Sequence, residues 1–159
     1  MKSYFTTVFL ILSIKLMAQP YPEPDFVEKP NYYNSFSKES TELERQIGPY
    51  EIVSGSANRT LYFKNPKSPL RIKKEDGVQF LIKLVNPPEL DLVLPLYHLT
   101  ENKKYRSLLL YNRVIIDQRI LPFTYKKVGE NTYLLTVSNL QPGEYIWFLQ
   151  KASYFFGVE

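Results

Sequence analysis

The chain has 159 residues, 23% of them charged, with a formal net charge of +4, one histidine and no cysteine. The missing thiols exclude a disulfide framework and thiolate metal sites, so the fold must rest on hydrophobic burial and strand pairing. One histidine also argues against the usual zinc sites, which need three or four nitrogen or sulfur ligands, and no metal or cofactor is expected.

Residues 1–18 read as a secretory signal peptide. Lys2 precedes an apolar run over 8–14, and Leu16-Met17-Ala18 leads into Gln19-Pro20 with Ala18 as the small residue at the cut. The run falls far short of the roughly 20 apolar residues that a spanning helix needs. A retained anchor is the competing reading, because Lys15 interrupts the run and Leu16 is larger than the residue usual three positions before a cut. Cleavage after Ala18 leaves 141 residues, enough for one domain with a sizeable core. The expected location is the periplasm, the cell surface or the medium.

Residues 19–30 carry Pro20, Pro22, Pro24 and Pro30, which disfavour regular pairing and favour an extended arm. Residues 38–47 are open between two forms. Thr41 followed by Glu44 fits a helix capping box, whereas Tyr32-Tyr33, Leu43 and Ile47 fit a hairpin turning around Lys38-Glu39-Ser40.

From Tyr50 onward a two-residue period dominates. Leu61 and Phe63 alternate with Tyr62 and Lys64, and Leu70 and Ile72 with Arg71 and Lys73, with Asn65-Pro66-Lys67-Ser68-Pro69 as a break between them. Asp76-Gly77 turns the chain into a strand whose buried face is Val78, Phe80, Ile82 and Leu84. Residues 92–99 and 105–111 flank a polar stretch of hairpin length, and Pro95 places the first of these strands at an edge or bulge. Leu121, Phe123 and Tyr125 lead through Gly129-Glu130-Asn131 into Tyr133, Leu135 and Val137 as a further hairpin. Pro142-Gly143 turns the chain into a strand over 144–149, and a last strand covers 154–158.

Eight to ten short strands separated by turn signals predict an all-β domain over 31–159, an antiparallel β-sandwich of two packed sheets. The arm over 19–30 precedes it.

An ordered series of short features points the same way: Leu43-Glu44-Arg45-Gln46; Gly55-Ser56-Ala57-Asn58; Leu70-Arg71-Ile72-Lys73 with Val78-Gln79-Phe80; Leu121-Pro122-Phe123-Thr124-Tyr125-Lys126-Lys127; Pro142-Gly143-Glu144-Tyr145; and Phe155-Phe156-Gly157-Val158-Glu159. In this order they resemble a class of small exported bacterial domains of the Bacteroidetes-like secreted type. Residues 108–119 depart from that class in lacking a glycine-rich loop. The resemblance implies export and an all-β fold, tilts 41–47 toward strand, and carries over no activity and no site residue.

Catalytic signals are sparse. His98 lies in the apolar strand Leu96-Tyr97-His98-Leu99 and reads as a hydrogen-bonded structural residue rather than a general base. There is no nucleophile elbow, phosphate loop or dinucleotide fingerprint. Glu75 with Asp76, Glu89 with Asp91, and Asp117 or Glu130 could supply a hydrolase with its two carboxylates, but each sits where a solvated turn carboxylate is expected. The chain is read as non-enzymatic, with a small hydrolase as the distant alternative.

Binding has more support. The chain is rich in aromatic rings, and Tyr32, Tyr33, Tyr62, Tyr111 and Tyr154 are candidates for ligand stacking or interface anchoring, while Trp147 reads as a core centre. Arg59, Lys64, Lys67, Arg71, Lys73 and Lys74 form a candidate basic patch. The plainer reading of that run is a set of solvated strand faces, and no nucleic-acid partner is expected for an exported protein of net charge +2 after cleavage. Two functions follow: a non-catalytic module binding a protein or glycan of the cell envelope, or a structural component of an envelope complex with the arm as tether or donated strand.

Overall fold

Strand alternation organises the chain from Asn31 to its end. The computed structural model describes residues 21–55, 58–74, 77–85, 87, 90, 94–111, 120–149 and 152–159. Their strands are β1 (Asn31–Asn34), β2 (Glu39–Glu42), β3 (Glu44–Gln46), β4 (Glu51–Ser54), β5 (Asn58–Lys64), β6 (Arg71–Ile72), β7 (Val78–Lys83), β8 (Leu96–His98), β9 (Thr100–Glu101), β10 (Tyr105–Tyr111), β11 (Thr124–Lys127), β12 (Thr132–Val137), β13 (Gly143–Phe148) and β14 (Ser153–Val158). Among the described residues no helix is long and apolar enough to cross a membrane.

The strands form three sheets rather than two. Sheet A has the order β11-β12-β7-β1-β2, and sheet C the order β4-β5-β10-β9. Sheet B has the order β3-β14-β13-β8, with β6 pairing β14 in parallel. Sheet B is the middle layer. Tyr145 and Trp147 of β13 and Phe156 and Val158 of β14 pack with Phe80, Ile82, Leu135 and Val137 of sheet A. Ile146 and Phe155 point the other way, onto Leu61, Phe63, Leu108 and Leu110 of sheet C. All six residues of β14 are buried, as a strand covered on both faces requires. The two-sided apolar pattern read as two sheets therefore belongs to a central sheet with a partner on each side.

Aromatic rings fill both interfaces. Phe80 meets Trp147 edge-on at 5.5 Å and Phe156 at 4.8 Å, and Phe63 meets Phe155 at 5.1 Å. Such pairs contribute about 0.5–1.5 kcal/mol each beyond their buried area.

Residues 38–47 take the strand form. The register Asn34↔Glu39 places the turn at 35–38 rather than around Lys38-Glu39-Ser40, so Glu39 and Ser40 belong to β2. Asn34 Oδ1 accepts the N–H groups of Phe36 and Ser37 at 2.9 and 3.1 Å, and Lys38 takes the left-handed φ of 62°. This side-chain turn competes successfully with helix formation.

The described part of the arm lies on the outer face of sheet A. Tyr21 packs on Tyr33 at 5.3 Å, Glu23 pairs with Lys83 at 2.5 Å, and Glu28 donates its N–H to the Lys83 carbonyl at 2.9 Å. Pro24 and Pro30 are buried.

Tyr145 fastens the turn before β13. Its hydroxyl donates to the Gln141 carbonyl at 2.5 Å and accepts the Gln141 N–H at 3.0 Å. Burial holds its pKa above the ordinary 10.0, partly offset by the Gln141 bond. The folded state thus keeps this proton more tightly than the unfolded chain, so the associated stability is complete below about pH 10 and is lost as pH rises through the folded value. Tyr145→Phe is expected to cost about 1 kcal/mol at pH 7 and to flatten the decline above pH 10. Urea unfolding from pH 7 to 11 checks this; an unchanged alkaline slope would assign the decline to other groups.

Candidate functional site

A charged side chain on the buried face of a strand must bring its own partners, because an unpaired charge there is prohibitively costly. Glu144 shares its face of β13 with Ile146, and Arg106 shares its face of β10 with Leu108 and Leu110. Both are 0% exposed. They meet between sheets B and C, where Arg106 Nη1 donates to Glu144 Oε2 at 3.3 Å.

Two further groups complete an alternating set, Arg71–Glu144–Arg106–Glu44. Arg71 Nη1 donates to Glu144 Oε1, and its Nη2 donates to the Val158 carbonyl at 3.3 Å. Arg106 Nη2 donates to both Glu44 oxygens at 2.9 and 3.1 Å and to the Lys64 carbonyl at 2.9 Å. The Arg106 guanidinium also lies 4.3 Å from the Phe155 ring centroid. The Ser68 N–H donates to Glu144 Oε2 at 2.7 Å, and Gln46 Nε2 to Glu44 Oε1 at 2.8 Å. Donors thus occupy both Glu144 oxygens. The set ties β3, β6, β10 and β13 together and holds sheet C against sheet B.

Gly157 makes this crossing possible. A Cβ there would fall on Arg71 Nη1, far inside the 3.0 Å below which real Cβ contacts do not occur, and 2.8 Å from Glu144 Oε1.

The groups singled out from the sequence scatter. In the basic run, Arg71 turns inward to Glu144, Lys64 reaches over the Tyr50 ring at 5.3 Å, and Lys74 approaches Gln141 at 3.5 Å. Lys67 and Lys73 are exposed and Arg59 is half-buried. Tyr33 and Tyr154 are core residues, 2% and 6% exposed, and Tyr32 packs edge-on to Phe80 at 6.3 Å. Tyr62 meets Tyr105 at 4.7 Å. Tyr111 pairs with Asn58 through its backbone, and its side chain lies outside the described set. Glu75, Asp76, Glu89, Asp91 and Asp117 also lie outside the described residues, and Glu130 is exposed. His98 is exposed at the edge of sheet B, its ring 4.9 Å from Tyr145 and directly over Gly143. Among the described residues no three His, Cys, Asp or Glu groups gather as metal ligands.

Sequence reading missed Arg106 and Glu144 as partners. The signal was present in part: each is a charge placed in register with apolar neighbours on a strand. Their pairing spans 38 residues and has no local signature.

Sheet C presents its other face outward. Opposite residues share a face, so the register sets Glu51, Tyr62 and Ser107 in one row and Val53, Thr60 and Leu109 in the next. Among the described residues β4, at the edge of the sheet, pairs only with β5, and all four of its residues are exposed. Ile52 and Val53 are each 48% exposed, and Tyr50 and Ile47 precede them at 65% and 76%.

The remaining sheet edges are protected. β11 carries Lys126 and Lys127, β2 carries Glu39 and Glu42, β3 has three residues with Glu44 and Arg45 among them, β9 has two residues, and β8 has three and follows Pro95. Lysine, charge, proline and shortness are the usual safeguards against edge pairing. β4 has none of these except Glu51.

Comparison of the chain with protein-family models, with curated proteins and with solved structures finds no match.

Proposed function

We propose that the protein is an exported, non-catalytic interaction module of the cell envelope that takes an extended protein segment as an added strand on β4. The exposed apolar edge of β4 carries this reading. Strand addition supplies backbone hydrogen bonds for affinity and alternate side-chain contacts for specificity, and an exposed apolar strand rimmed by polar residues is the surface such binding needs. Export rests on the basic start and apolar run of residues 1–18. The described part of the arm is engaged on sheet A, away from the edge of β4. A glycan reading would draw on the Tyr62–Tyr105 pair of the outward face.

Affinity capture from the native envelope, run in parallel for wild type and Val53→Lys, tests the proposal. The substitution lies on an exposed edge and should change stability by about 0.5 kcal/mol or less. Partners retained by wild type should be lost from the variant. An identical set of specific partners in both samples would remove β4 from the binding surface.

A further inference from the structure

The direction of the backbone groups along β4 narrows the partner. Gly55 donates its N–H to the Asn58 carbonyl at 2.7 Å, which closes the β4–β5 hairpin and sets the hydrogen-bonded pairs at Val53↔Thr60 and Glu51↔Tyr62. In an antiparallel ladder the intervening residues direct their N–H and C=O groups to the other side. The free edge therefore presents the backbone groups of Ile52 and Ser54.

Resting on the reading above that β4 accepts a strand, we infer that the partner is a second copy of this chain, paired antiparallel through β4 about a two-fold axis at Val53. Such an axis stands normal to the sheet and keeps both core faces on one side, so opposed residues must have the same parity. Val53 then faces Val53 of the second copy, Ile52 faces Ser54 of the second copy, and Glu51 faces Gly55 of the second copy. Every outward N–H and C=O of Ile52 and Ser54 finds its complement. Glu51, the one charge on β4, meets a glycine rather than its own symmetry mate, which leaves its carboxylate room to reach the amide of Asn58 of the second copy.

The alternative two-fold register, centred on Ile52, is poorer. It would pair Ser54 with Tyr50 of the second copy, but the Tyr50 N–H is already given to the Tyr62 carbonyl at 2.7 Å. It would also set Glu51 against Val53. The Val53-centred interface is isologous and closes after two copies, joining the two C sheets into one continuous sheet.

The absence of cysteine makes the register directly readable. In a non-hydrogen-bonded antiparallel pair the Cα atoms are about 4.5 Å apart, within the roughly 4.4–6.8 Å that a disulfide spans. Sedimentation equilibrium should give twice the monomer mass for the purified wild-type protein and the monomer mass for Val53→Lys. Val53→Cys should form a disulfide-linked dimer under mild oxidation, whereas Thr41→Cys on β2, the edge of another sheet, should stay monomeric on a reducing-agent-free gel. A wild-type dimer in which Val53→Cys does not cross-link would overturn the register. A monomer at every concentration would overturn the second copy as partner. In that case loss of envelope partners from Val53→Lys would still uphold strand addition at β4, and their retention would remove that reading too.

Discussion

Glu144→Leu is expected to destabilise the fold by about 3–5 kcal/mol, the range for removing one partner of a buried ion pair. Leucine fits an apolar neighbourhood beside Ile146, but the substitution leaves Arg106, which is 0% exposed, with only the Glu44 carboxylate for its charge. The Ser68 N–H loses its acceptor at the same time. Arg71 suffers less, since Glu159 lies within 3.6 Å of its Nε and its side chain is partly solvated. Glu144→Gln keeps the shape and removes the charge, so its cost should fall between wild type and leucine. Urea unfolding of the three proteins under one buffer decides the matter. A loss below about 1 kcal/mol for leucine would mean that Arg106 is not held by charge.

The same substitution bears on function through mechanics. Glu144 lies on β13 and Arg106 on β10, the strand beside β5, which in turn carries β4. Weakening that tie should loosen sheet C before sheet A, because the Phe80 and Trp147 cluster does not depend on it. Hydrogen exchange of β5 and β10 amides in Glu144→Gln should rise above that of β7 and β12.

Much of the fold was legible because strand alternation is local. Val78, Phe80 and Ile82 disclosed the inner face of β7 from their spacing, and Gly129-Glu130-Asn131 disclosed the β11–β12 hairpin. The layer count was not legible. A strand such as β14, apolar on both faces, is covered on both sides, yet nothing in its sequence states whether two or three sheets achieve this. The ion network was hidden for the same reason. Arg71 alternates with Leu70 and Ile72 and so reads as a solvent-facing lysine-like residue, and only the pairing of β6 with β14 turns it onto Glu144, 73 positions away. Glu44, Arg71, Arg106, Glu144 and Gly157 come from five separate segments of the chain, so no local pattern announces the network.

Gly157→Ala should cost about 3 kcal/mol or more, although it adds a single methyl group to a strand. Gly157 does not have the left-handed φ seen at Gly48 and Gly77, so alanine meets no backbone penalty and should gain from reduced unfolded-state entropy by about 0.4–1 kcal/mol. The cost comes from Arg71, whose guanidinium occupies the space a Cβ would take. Alanine forces it off Glu144 and away from the Val158 carbonyl, which breaks an ion pair at its buried end. This assignment makes the two sites strongly non-additive. Arg71→Ala removes the larger clash and leaves only the 2.8 Å approach to Glu144 Oε1, so Gly157→Ala introduced on that background should add well under its cost in the wild type, where independent sites would sum. A double-mutant cycle by urea unfolding measures the difference directly. Full additivity would show that Gly157 is required for some reason other than the passage of Arg71 to Glu144.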